Sequence, residues 1–212
     1  MGQNIIGLIG SSSQALEILD FAPKDSVKFL LSSSKSEIGN TVNQLPVFDL
    51  ATADTDLVHV GVVPAVGAPG LKRELVSQWA GSLSPAIVAA TAYVSIDSTQ
   101  GVGTVIAPNA VLMTNTHIGK CVLINTGVTV SHDTVIGDFS TVSPGVNIGG
   151  NCSISDGVFL GIGSKVIQGI SIAAGTYVGA GAVVTQDITI PGTYVGVPAK
   201  MISSENVWAL KL

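Results

Sequence analysis

His132 and Asp133 stand side by side in "INTGVTVSHDTVIGD", residues 124–138. An imidazole takes up and returns a proton near neutral pH, and a carboxylate beside it can orient it and steady its charged form. Such a pair suits a general base acting while an amine or hydroxyl attacks an acyl carbonyl. Groups of this kind are scarce elsewhere. Charged residues make up 11 % of the 212, with three histidines and two cysteines. His117, in "NTHIGK", reads as a surface residue, and His59, in the apolar run "DLVHVGVV", as part of a strand or core. Cys121 and Cys152 have no spacing to histidine that suggests a metal, and two cysteines form no disulfide framework.

The elements that must position the pair form a repeat. Every sixth residue from Val88 to Ile190 is aliphatic except Gln100, seventeen of eighteen positions. The residue two before is often small (Thr104, Ala110, Thr134, Ser140), and the residue just after is often glycine (Gly119, Gly137, Gly149). A helix needs apolar residues near a 3.6 spacing, so this period predicts short strands joined by tight corners. Three sides close a coil of 18 residues, and six coils stack into a prism about 29 Å tall at about 4.8 Å per coil. His132 falls two past the ladder residue Val130, at an outward corner. One coil on, Gly149 and Gly150 stack beside it, so the backbone N–H of Gly150 is placed to face a developing oxyanion.

The N-terminal third reads differently. "NIIGLIG" (4–10), "VKFLL" (27–31) and 56–63 read as buried strands. "SSSQALEILDF" and "PGLKRELVSQWAG" read as helices, the second with Gly81 as its stop. Strand–helix–strand alternation predicts a small parallel α/β domain over 1–82, then the coils over 83–200 and a tail over 201–212. Its first turn, "GLIGSSSQ", is neither G-x-G-x-x-G nor a Walker A sequence.

The ladder over residues 86–200, with the closing "GVPAK" (196–200), resembles the left-handed β-helix, hexapeptide-repeat acyltransferases. "INTGVTVSHDTVIGDFSTVSPGV" is similar to the sugar acetyltransferases that join a small Rossmann-like nucleotide-sugar domain to such a helix. These are the N-acetyltransferases of nucleotide-linked 4-amino sugars and the sialic-acid O-acetyltransferase-like proteins. The resemblance implies His132 as general base and Asp133 as its orienter. It implies acetyl-CoA as co-substrate, without a metal, and a nucleotide-linked amino sugar as acceptor. Acetyl-CoA contacts carry over to Thr141, where the family often has a second histidine, and to Gly150, Ile162 and Ala180. Nucleotide-sugar contacts carry over to Gly10, Ser12, Ser13, Gln14, Ser32, Ser33, Gly61 and Asn125. The family's acidic pair after the second strand is replaced by Ser32 and Ser33. The family is also trimeric, with the site between neighbouring prisms. "NTGVTVSHD" is closer to the amine-specific branch; a sugar O-acetyltransferase and a non-catalytic β-helix remain the alternatives.

A net charge of −5 gives no basic surface for nucleic acid. No apolar run approaches the length of a membrane span, and "MGQNIIGLIG" lacks the basic start of a signal peptide, so a cytoplasmic protein is expected.

Overall fold

The computed structural model describes residues 5–53, 57–205 and 208. Its N-terminal part is a five-stranded sheet. The strands are β1 (Ile6–Ile9), β2 (Val27–Ser32), β3 (Thr41–Val42), β4 (Leu45–Asp49) and β5 (Gly61–Pro64), in spatial order β3-β4-β2-β1-β5. All pairings are parallel except the small β3–β4 hairpin. Helix α1 (Ser13–Phe21) follows β1, and α2 (Pro69–Gln78) follows β5. The buried, aliphatic β1 and β2 explain the parallel pairing: "IGLI" and "VKFLL" have few polar positions to leave facing water.

Several boundaries differ from expectation. The third run forms a strand only from Gly61; residues 57–60 are turn, with His59 exposed, and 54–56 fall outside the described residues. His59 is therefore neither a strand nor a core residue. The β3–β4 hairpin has no strong alternating pattern and was not anticipated. α2 ends at Gln78, before Gly81, with Trp79 at its cap.

From Ile87 the chain enters the coils. Seventeen two-residue strands, β6 (Ile87–Val88) to β22 (Val183–Val184), recur every six residues and pair in parallel with the strand 18 residues away. They make three walls. The first contains Ile87–Val88, Val105–Ile106, Leu123–Ile124 and Thr141–Val142; the second starts at Tyr93–Val94 and the third at Thr99–Gln100. The second residue of each pair points inward, and Ile106 to Val184 form one continuous buried column of aliphatics. The small residues two before them, such as Thr104, Thr134 and Ser140, are also fully buried. Gln100, the one non-aliphatic rung, lies half-buried in the lowest coil, where Val88 is exposed. The column has no neighbour below it there, so a polar rung costs little.

The last coil is two residues short. Ile188, not Ile190, bridges to Ile172 and is 5 % exposed, while Ile190 is 59 % exposed. The eighteenth rung of the ladder therefore moves from Ile190 to Ile188. The chain then forms β23 (Thr193–Val195), parallel to the wall, and turns back as β24 (Lys200–Ser203), antiparallel to β23. The strand thus runs through the boundary expected at residue 200.

The N-terminal sheet rests on the first wall. Ile6, Leu8, Ile18, Leu30 and Val63 share a cluster with the outward side chains Ile87, Val105 and Leu123. A second tie comes from α2. Lys72, 1 % exposed, donates from Nζ to the Ser140 carbonyl at 3.2 Å and to Thr141 Oγ1 at 3.0 Å. Thr141 Oγ1 in turn donates to the Gly67 carbonyl at 2.6 Å. Trp208 lies against Phe139, with Arg73 3.9 Å over its ring.

Candidate active site

From Gly103 to Gly181 every corner of the prism turns on one residue in the left-handed region, and this explains the pose of the pair. Asp133 has φ +58°, in line with Asn115 at +54° and Asn151 at +58° in the coils below and above. Aspartate and asparagine tolerate this region better than other residues with a Cβ. The turn brings the carboxylate back against its neighbour, with His132 Nδ1 2.7 Å from Asp133 Oδ2. Asn115 Nδ2 donates to the other carboxylate oxygen at 3.1 Å. The His132 hydrogen bond first, and that of Asn115 second, hold the Asp133 carboxyl below its ordinary range. The carboxylate is therefore the acceptor of the contact, which assigns the proton to Nδ1 and leaves the Nε2 lone pair as the basic site. Both side chains are about half exposed.

Gly150 lies directly over the ring. A Cβ there would come within 2.7 Å of His132 Nε2 and Cε1, so the imidazole fits this pose because residue 150 has no side chain. The Asn151 N–H donates to the His132 carbonyl at 2.9 Å, fixing the two coils in register. Sequence spacing alone places these residues, and the structure brings them together as expected.

The other expected acetyl-CoA residues divide. Ile162 is exposed, and so is Ala180, one coil above it. Both occupy the corner between the first and second walls, the corner that also carries Asn125. His132 and Gly150 occupy the corner between the second and third walls, so the second wall separates the two groups. Thr141 belongs to neither group. It is 2 % exposed on the first wall, and its hydroxyl is taken up by Gly67 and Lys72. The side chain is closed off from a bound acyl group and serves instead to join the N-terminal sheet to the coils.

At the N-terminal sheet, Gly10, Ser11, Ser12, Ser13 and Ser32 gather at the C-terminal ends of β1 and β2. Gly10 has φ +118°, and a Cβ would sit 2.8 Å from the Ala65 carbonyl oxygen, so the turn needs glycine. Ser12 caps α1 without a side-chain hydrogen bond, and Ser12, Ser13 and Ser33 are exposed. Gly61 does not join them. Its register partner is Ile6, at the opposite end of the sheet, and its missing side chain makes room for Ser84. Gln14 and Asn125 do meet. They line a cleft of about 520 Å³ between α1 and the coils, with Glu17, Asp20, Phe21 and Pro144.

Sequence reasoning missed one acid. Glu37 Oε2 accepts hydrogen bonds from Ser11 Oγ and Ser32 Oγ, each at 2.6 Å. The Ser11 bond, followed by that of Ser32, holds its carboxyl below the usual range. Among the described residues, no group of three or more His, Cys, Asp or Glu could hold a metal ion, and no helix is long and apolar enough to cross a membrane.

A scan against protein-family models finds no match, and neither does a search of curated proteins. Solved structures do match. The acetyltransferase domain of PglB from Neisseria gonorrhoeae FA1090 is 26 % identical with a TM-score of 0.84, over 94 % of this chain and 100 % of that one. A point mutant of GDP-perosamine N-acetyltransferase from Caulobacter crescentus, in complex with CoA and GDP-perosamine, is 26 % identical with a TM-score of 0.83, over 94 % and 97 %. These neighbours are nucleotide-sugar N-acetyltransferases of the hexapeptide-repeat β-helix family, and this chain is similar to them in fold and sequence. WeeI from Acinetobacter baumannii AYE, 28 % identical with a TM-score of 0.81 over 93 % and 99 %, is a further structural neighbour. The PglB domain has also been solved in complex with acetyl coenzyme A. The likeness extends over both parts of the molecule, sheet and coils alike.

Proposed function

We propose that this protein is an acetyl-CoA-dependent N-acetyltransferase of a nucleotide-linked amino sugar. It is built as a small nucleotide-sugar-binding α/β domain of Rossmann-like type followed by a left-handed β-helix. The observation that carries the reading is the His132–Asp133 pair, held half-exposed on a corner with Gly150 packed over the ring.

The chemistry follows from those groups. The sugar amine attacks the thioester carbonyl carbon, forming the C–N bond. Nε2 of His132 takes the proton the nitrogen releases, and Asp133 steadies the resulting imidazolium through Nδ1–H. The Gly150 N–H faces the oxyanion of the tetrahedral intermediate. The C–S bond then breaks, and the imidazolium returns its proton to the CoA sulfur. A thiolate is a good leaving group, so the step needs neither metal nor covalent acyl-enzyme. Ile162 and Ala180 present backbone groups to acetyl-CoA along the first–second corner. The serine-lined turn after β1, with Gln14 and Asn125, takes the nucleotide-sugar.

The arrangement also supports a shared site. The N-terminal sheet packs on the first wall, and His132 occupies the corner formed by the other two. Within one chain the base and the nucleotide turn are on opposite sides of the prism. A neighbouring copy supplies the missing half, and a homotrimer closes such contacts into a ring.

The test is a release assay for CoA thiol with acetyl-CoA and UDP-, GDP-, CMP- and dTDP-linked amino sugars, each beside its hydroxy counterpart. Turnover of an amino sugar, with the hydroxy sugar inert, is the expected result. Turnover of the hydroxy sugar alone would replace N-transfer by O-transfer. Binding of no CoA species and no nucleotide would leave a non-catalytic scaffold.

A further inference from the structure

The carboxylate of Glu37 has no role in the acyl transfer, yet it is held firmly at the ligand-facing edge of the sheet. Ser11 follows the Gly10 turn, and Ser32 is the last residue of β2; both hydroxyls donate to one oxygen, Oε2. The Ser34 N–H donates to Ser32 Oγ at 3.0 Å, so the serine is itself oriented. Oε1 accepts nothing, and Glu37 forms no ion pair, among the described residues. The side chain is half-buried. A fixed, partly desolvated carboxylate with a free oxygen is an acceptor awaiting donors.

We infer that Glu37 accepts the ribose hydroxyls of the bound nucleotide and so selects ribonucleotides over 2′-deoxyribonucleotides. The inference rests on the nucleotide-sugar reading given above. Ligands of open parallel sheets lie beyond the C-terminal ends of the strands, where Glu37 is tied. A carboxylate repels phosphate, which assigns the diphosphate to the other side of Ser11, at Gly10 and the exposed hydroxyls of Ser12 and Ser13. Glu37 is bonded to the residue next to that turn. In a nucleotide the group adjacent to the phosphate is the ribose, and its 2′ and 3′ hydroxyls are donors. The base lies farther from the phosphate. Because Oε2 is already occupied twice, Glu37 presents one open oxygen rather than a two-pronged fork for a base edge. Ser11 and Ser32 act as positioning residues.

The experiment is titration calorimetry of the full chain with UDP, GDP, CDP and ADP, each against its 2′-deoxy counterpart, with acetyl-CoA as a control ligand. A hydrogen bond to a charged group predicts that the ribose form of the preferred nucleotide binds about 10- to 100-fold tighter than its deoxy form. Glu37→Gln should weaken the ribose form by about tenfold and the deoxy form little, collapsing the difference, with acetyl-CoA affinity unchanged. Equal affinity of wild-type protein for the two forms overturns the inference without reference to any variant. So does a Glu37→Gln variant that loses both forms equally while still binding acetyl-CoA. Binding of none of the eight nucleotides overturns both this inference and the nucleotide-sugar reading, whereas binding that ignores the 2′-hydroxyl overturns this one alone.

Discussion

His132 reaches solvent through Nε2 while Nδ1 is committed to Asp133, so the two residues separate experimentally. His132→Ala is expected to lower kcat by about 10²- to 10⁴-fold with the melting temperature unchanged, since the ring is half exposed and fills no core space. Near-normal turnover would remove it from the mechanism. Asp133→Asn should cost less, because the amide still holds a ring orientation. The hydrogen bonds from His132 and Asn115 hold the Asp133 carboxyl below its ordinary range. Asp133→Asn therefore removes the charge that steadies the imidazolium rather than the contact itself, and a loss as large as that of His132→Ala would contradict the orienting role. At this scale the register of 18 made His132, Asp133 and Gly150 legible, because neighbours in a solenoid are fixed by counting. Glu37 was not legible: its partners lie 5 and 26 residues away, in a sheet whose turns follow no period. Gly61 and Thr141 were misplaced for the same kind of reason, since carrying a residue over by position does not reveal what packs against it.

Among the elements, α2 holds the least expected side chain. Lys72 is buried against the first wall, and desolvation pushes its pKa down to about 7. An unfolded lysine titrates near 10.4, so between about pH 7 and 10 the unfolded chain binds more protons than the folded one. Stability contributed by this residue therefore rises with pH across that window and is flat below it. Thermal unfolding from pH 6 to 10 should show the rise in wild type, and Lys72→Met should abolish it. Lys72→Ala should flatten the profile as well, and near pH 9, where the buried amine of the wild type is neutral, it should destabilise by about 3 kcal/mol from the cavity and the orphaned carbonyls. A wild-type profile without slope would mean that the ammonium keeps its charge inside the fold. The sequence shows α2 clearly, through Leu75 and Trp79, but not which of its polar residues turns inward. Lys72 sits beside Leu71 on the helix, and only the docking of the sheet on the coils decides its burial.

For the whole molecule, the separation of the two half-sites is the consequential fact. If neighbouring copies complete each other, the assembly is a trimer of about 64 kDa, three times 21.4 kDa. Two inactive variants then make a sharper test than size alone. His132→Ala lacks the base. Gly10→Val crowds the Ala65 carbonyl and should spoil the nucleotide turn while sparing acetyl-CoA. Equal amounts unfolded and refolded together should regain activity at about a quarter of the sites, where an intact base meets an intact turn from the next copy. Light scattering reports the mass. An active monomer, or mixtures as dead as their parents, would sink the shared site. The coils and the two-part build were readable over nearly the whole chain, because a six-residue period has few physical solutions. The shortened final coil was not readable, since the six-residue count lands on Ile190, an isoleucine that satisfies the period, and nothing in the sequence marks Ile188 as the residue that takes its place.

That short coil leads into β24, which runs against the direction of every other strand in its wall. A stack of parallel coils is in principle endless: its uppermost rung presents unpaired amides and carbonyls that would accept another molecule's lowest rung as readily as its own next turn. The reversed strand occupies that rung with a partner of the wrong polarity for further stacking. The protein thus carries its own terminator against polymerisation, written in Thr193 to Ser203. Ending the chain after residue 190 is expected to turn a discrete particle into end-to-end filaments, visible by electron microscopy, and truncated protein that stays the size of wild type would deny the strand that role.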